Sequence, residues 1–169
     1  EWTASDERLA IYFMAASPRG QHELDYRAEE AAIDREAGRK KFDLFVEETG
    51  ELGQLRDMLG LQASLLEGVN VMHISAHGGY MDGQPVLCLE NAEGQTLYTS
   101  ALEFWQQVGR DEFRLYFISA CHTAKSSEAS ASFASQLINF GAPACLAWGA
   151  AGGDVSATQF ASTLYGELN

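Results

Sequence analysis

LAIYFMAA (Leu9 to Ala16) is apolar along its length and ends at Ser17-Pro18-Arg19-Gly20, the pattern of a strand buried on both faces and closed by a turn. VNVMHISA and FRLYFISA (Phe113 to Ala120) repeat it with β-branched and aromatic residues. KFDLFVEE alternates as a shorter strand, and APACLAWG supplies a fifth. Between these runs the period lengthens. HELDYRAEEAAIDREAG sets Leu24, Ala28, Ala31 and Ile33 near helical spacing with charges between them, and Gly38 stands where the helix should stop. On this reading the acidic run from Glu23 to Glu36 is the wet face of that helix. From Gly50 to Gly68, Leu52, Leu55, Leu59 and Leu66 predict a second helix, weakened by Gly53 and Gly60.

PVLCLENAEGQTLY reads as a hairpin turning at Asn91-Ala92-Glu93-Gly94, and SALEFWQQVG as a helix capped by Thr99 or Ser100. SSEASASFASQLINFG predicts a helix that buries Phe133, Leu137 and Ile138 and stops at Gly141, and DVSATQFASTLYGEL a last one. Helices alternating with buried strands imply an α/β fold, a three-layer α-β-α sandwich with a mostly parallel sheet and a small β-hairpin insertion. The 169 residues fit one domain, residues 1–169, able to bury a core without staples. Starting almost on a strand and ending on a helix, it reads as a domain excised from a longer multidomain protein.

Charge narrows the partners. With 24 acidic against 11 basic residues, the net charge of -13 argues against direct nucleic-acid contact and against an anionic membrane surface. Basic peptides or proteins are the better candidates. No apolar stretch approaches the roughly 20 residues needed to cross a bilayer. Three cysteines, Cys88, Cys121 and Cys145, are an odd count at spacings unlike a disulfide framework, and with no residues before Glu1 no signal peptide is expected. A cytoplasmic setting is the expectation.

The candidate chemistry sits at two strand ends. VMHISAHGG puts His77-Gly78-Gly79 after one apolar run, and LYFISACHT puts Cys121 after another. In open α/β sheets the functional groups gather beyond the carboxyl ends of the strands. If these two strands are neighbours, with axes about 4.8 Å apart, side chains just past their ends reach the same substrate carbonyl. A thiol is only a few per cent thiolate at neutral pH, so an imidazole that takes its proton makes it a nucleophile. Cys121 would attack and His77 would protonate the leaving amine. Gly78, without a Cβ, lets its N–H approach the developing oxyanion, with the N–H of Cys121 as second donor.

Competing readings exist for each residue. Free cysteine is often simply buried, which suits Cys88 and Cys145 inside apolar strands. His73 and His77 are four apart, but on a strand that is about 13 Å, too far for one metal, so His73 reads as a packed sheet residue. Beside Cys121-His122 no further ligand stands at metal spacing. A G-x-S-x-G elbow is missing, which rejects an α/β hydrolase.

HISAHGG, SACHT, the GAPACLAW strand and the GD-x-x-x-x-x-F helix together resemble the CHAT domain, a caspase-like peptidase module often found beside tetratricopeptide repeats. The opening LAIYFMAASP and acidic helix resemble its first strand and helix, so the likeness covers nearly the whole chain. It implies a caspase-haemoglobinase fold, a Cys121–His77 dyad and thioester chemistry with no cofactor. It implies a cysteine endopeptidase acting on a protein or peptide, with a role in signalling or defence, and regulation by a neighbouring domain, self-cleavage or a partner. Separase, a relative that cleaves after arginine, has an aspartate matching Asp154, which implies a basic P1 residue. The turn differs here, being Ala150-Ala151-Gly152-Gly153, and an aspartate before a helix is also an ordinary N-cap. Arg19 would be the caspase-like alternative for an acidic P1, though it reads better as a solvated turn residue. The alternative to an enzyme is a silent scaffold that binds a partner protein.

Overall fold

The computed structural model describes residues 9–40, 42–62, 69–109, 113–120, 124–148 and 154–167. Among them the chain runs β1 (Leu9–Ala15), α1 (Tyr26–Lys40), β2 (Asp43–Glu47), α2 (Leu52–Gln62), β3 (Val69–Ser75), β4 (His77–Met81), β5 (Gln84–Glu90), β6 (Thr96–Ser100), α3 (Ala101–Val108), β7 (Phe113–Ser119), α4 (Ala124–Phe140), β8 (Cys145–Ala147) and α5 (Asp154–Glu167). Five strands form one sheet in the order β2-β1-β3-β7-β8, parallel at every junction. These are the five strands expected from the apolar runs. No helix among the described residues is long and apolar enough to cross a membrane.

Alternation along β1 divides the core in two. Leu9, Ile11, Phe13 and Ala15 face α1 and α5, meeting Ile33, Ala37, Ala161 and Tyr165. Ala10, Tyr12 and Met14 face the opposite layer, meeting Leu55 and Leu59 of α2, Phe104 of α3 and Phe133 of α4. Both faces of a parallel sheet must be covered, which is why β1 is apolar apart from the Tyr12 hydroxyl. The result is a three-layer α/β arrangement compatible with a caspase-like fold.

The insertion is larger than a hairpin. β5 and β6 pair antiparallel as expected, but β4 joins them as a third strand, with His77 opposite Cys88 and Gly78 opposite Leu87. His77 therefore opens a new strand rather than ending β3. Two glycines give β4 no strand signature of its own, and its pairing is supplied by the apolar β5 beside it.

Three expectations for the helices are corrected. α1 runs through Gly38 to Lys40. It buries Glu29, Ala32, Ile33 and Ala37 while Ala31 is exposed, so its inward stripe is rotated from the one expected and Glu29 leaves the wet face. In α4, Phe133 and Leu137 are buried, but Ile138 is 45 % exposed, since one residue turns the helix by about 100°.

Candidate functional site

β3 and β7 are hydrogen-bonded neighbours, with His73 opposite Phe117 and Ser75 opposite Ser119. The ladder continues past the strand end, where the N–H of Ala76 donates to the carbonyl of Ser119 at 3.1 Å. Each strand thus leaves the sheet at the same level. His77 follows Ser75 by two residues, and Cys121 follows Ser119 by two. Cys121 itself lies outside the described residues.

His77 is 6 % exposed. Its Nε2 lies 2.6 Å from the carbonyl oxygen of His22. A carbonyl only accepts, so Nε2 carries the hydrogen and Nδ1 is the basic nitrogen of the neutral ring. His22 lies in the loop from β1 to α1, and that loop is anchored. Ser17 N–H donates to Glu90 Oε1 at 2.9 Å, Arg19 N–H to the Gly94 carbonyl at 3.0 Å, and Leu24 N–H to Ser17 Oγ at 3.4 Å. Arg19 is an exposed turn residue, bridged through its backbone to Gln95. Gly50 completes this edge. Its φ of +70° and a space in which an added Cβ would come within 2.9 Å of Glu90 Oε1 and 3.1 Å of the Ala15 carbonyl both require glycine.

Beneath the strand ends lies a buried polar cluster. Glu29 reaches in from α1, 3 % exposed, and its Oε1 accepts from Ser119 Oγ at 3.0 Å. Ser75, the register partner of Ser119 on β3, also favours the ionised form of this carboxyl. His73, fully buried on β3, holds Nε2 3.3 Å from Oε1, at ion-pair distance but short of good hydrogen-bond alignment. Its Nδ1 is 3.0 Å from the hydroxyl of Tyr165 on α5. Burial pushes the Glu29 carboxyl up, but the neighbouring His73 and the Ser75 and Ser119 hydroxyls outweigh it and hold the group below its ordinary range. Burial, and then the charge of Glu29, push the Tyr165 hydroxyl well up. His73 is thus a packed sheet residue, as its strand position implies.

The sequence reading missed His22, Glu29, Ser75 and Ser119. A carbonyl contributed by the backbone of an exposed loop residue leaves no mark in a sequence. The serines did leave one, since Ile-Ser-Ala precedes both His77 and Cys121, as Ile74-Ser75-Ala76 and Ile118-Ser119-Ala120. Glu29 stands three residues before Ala32 and four before Ile33, which places it on their face of the helix.

Gly78 is half-buried as the second residue of β4. Asp154 is the first residue of α5, and its side chain lies outside what is described. Cys88 is buried on β5 and Cys145 half-buried on β8. Burial pushes the Cys88 thiol up, and the Cys145 thiol up to about 11. Both are poor nucleophiles. Near the ends of β1 and β2 an open cleft of about 580 Å³ is lined by Tyr26, Arg27, Glu30, Asp34, Glu47 and Glu48 among others.

Residues 5–169 match the CHAT domain. The chain belongs to the CHAT family. That family is related to the caspase-like peptidases, so the expected kinship holds over nearly the whole chain. A comparison with curated proteins finds no match. In this CHAT domain, His77 follows the carboxyl end of β3, and Cys121 that of its neighbour β7.

Proposed function

We propose that this CHAT domain is a cysteine endopeptidase. His77 carries the reading: a buried imidazole whose Nε2–H is held by the His22 carbonyl, leaving Nδ1 as base, beside the strand that ends two residues before Cys121. The Cys121 thiol gives its proton to His77 and attacks the peptide carbonyl carbon. The tetrahedral oxyanion is met by the N–H groups of Gly78 and Cys121, each such donor contributing about 3 kcal/mol. The C–N bond then breaks as His77 returns the proton to the leaving amine. Water, deprotonated by His77, cleaves the thioester and restores the thiol.

The substrate is a protein or peptide with a basic P1 residue, recognised by Asp154. The net charge of -13 and the acidic groups of the cleft near α1 support a basic ligand. A regulatory domain in the same protein, such as tetratricopeptide repeats, is the expected partner.

Cys121→Ala should abolish cleavage of reporter peptides with unchanged circular dichroism and Tm; cleavage by that variant rejects the mechanism. A library varied at P1 should favour Arg and Lys over Asp, and Asp154→Ala should weaken that preference at least tenfold. An unchanged preference removes Asp154 from the pocket. Iodoacetamide separates enzyme from scaffold, because an activated Cys121 reacts far faster than Cys88 or Cys145.

A further inference from the structure

We propose that Glu29 is a positioning residue, a buried carboxylate that clasps the ends of β3 and β7 together through Ser75 and Ser119 and so sets the distance between the base and the nucleophile. The inference rests on the peptidase reading of His77 and Cys121 and deepens it.

The geometry carries it. Ser75 and Ser119 are register partners, the last residues of their strands, and each precedes its functional residue by two. One carboxylate on a third element accepts from the Ser119 hydroxyl at 3.0 Å and lies beside its register partner Ser75. Among the described residues the last backbone bond between these two strands runs from the Ala76 N–H to the Ser119 carbonyl, and the side chains that follow it are positioned by side-chain contacts rather than by the ladder. A hydrogen bond to an ionised carboxylate is stronger than a neutral one, so Glu29, 3.0 Å from Ser119 Oγ, adds a link between the strands where the ladder ends. The carboxylate is itself fixed from behind, by His73 at 3.3 Å and, through His73, by Tyr165 of α5. His73 is in turn wedged between Phe13 and Phe117, with ring centroids 5.1 and 4.4 Å away. A group placed only to stabilise the α1 contact would need neither two strand-end serines nor a buried charge, since the rest of that contact is apolar.

A clasp of this kind acts on the transition state rather than on substrate binding, because a dyad slightly misplaced still binds peptide but transfers its proton poorly. The test compares wild type, Ser119→Ala, Ser75→Ala, the double variant and Ser119→Thr, all as the whole chain. Three readouts are taken: kcat and KM on a peptide with Arg at P1, the pH profile of iodoacetamide alkylation at Cys121 followed by mass spectrometry, and Tm. Each alanine variant should lower kcat about five- to tenfold with KM within about twofold, and move the alkylation profile to higher pH. Ser119→Thr, which keeps the hydroxyl, should restore both. Alanine variants that lose Tm but keep the wild-type kcat and alkylation profile overturn the clasp and leave a purely structural cluster. Failure of the peptidase reading shows elsewhere, in the wild type, as no cleavage and a Cys121 no more reactive than Cys88 or Cys145; the clasp then falls with it.

Discussion

A carboxylate removed from water costs several kcal/mol unless donors and positive charge replace its hydration. Glu29 accepts from Ser119 and has Ser75 and the His73 ring beside it, while its neighbours on α1 are the apolar Ala32 and Ile33. Removing one partner of such a buried set leaves the others desolvated and unpaired. Glu29→Ala should therefore destabilise the fold by about 3–5 kcal/mol in urea titration. Glu29→Gln keeps an acceptor for the serines and should cost less. A loss under about 1 kcal/mol for Glu29→Ala would mean that water replaces the carboxylate. Charge alone misleads in a sequence: among the acidic residues of α1, Glu29 differs from Glu30 only in its angle about the helix axis. A one-step error in the apolar stripe was enough to put it in solvent.

At the level of elements, the buried strands were legible because a parallel strand covered on both faces must be apolar almost throughout. β4 was not, because His77-Gly78-Gly79 owes its strand conformation to β5. The helix after the hairpin was legible to its cap. Ser100 Oγ accepts from the N–H of Glu103 at 3.3 Å, while the Glu103 carboxylate takes the Ser100 N–H at 2.8 Å and its hydroxyl at 2.7 Å. This capping box closes the start of α3, whose Phe104 and Val108 are buried in the core. Ser100→Ala should cost about 1 kcal/mol and Ser100→Gly only a few tenths, measured as shifts of the urea midpoint at constant slope. A Ser100→Ala variant with an unchanged midpoint would show that the hydrogen bonds of the cap add nothing to stability. The functional residues follow the same division. His77 and Cys121 were legible as polar residues after apolar runs, whereas the support beneath them depends on which face of α1 turns inward and on a register between β3 and β7 that only folding creates.

For the molecule as a whole, two electrostatic effects of opposite sign govern stability against pH. The net charge of -13 at neutral pH opposes compaction, and that repulsion fades as carboxylates protonate toward pH 4–5. Glu29 works the other way. Its folded pKa lies below the unfolded value of about 4.3, so its contribution is fully present above that value and is lost as pH falls through the folded pKa. Stability should rise from pH 7 to a maximum in the mildly acidic range and then fall once Glu29 is protonated. At pH 7, raising salt from 0.01 to 0.15 M shortens the screening length from about 30 to about 8 Å and should stabilise the protein, with little effect near the maximum. Urea titrations across pH 3–8 at both salt concentrations measure both effects. In Glu29→Gln the acid limb should be shallower and the salt dependence at pH 7 retained, because the repulsion belongs to the whole surface and the acid loss to one buried group. An acid limb as steep in that variant as in wild type would assign acid unfolding to carboxylates elsewhere in the fold.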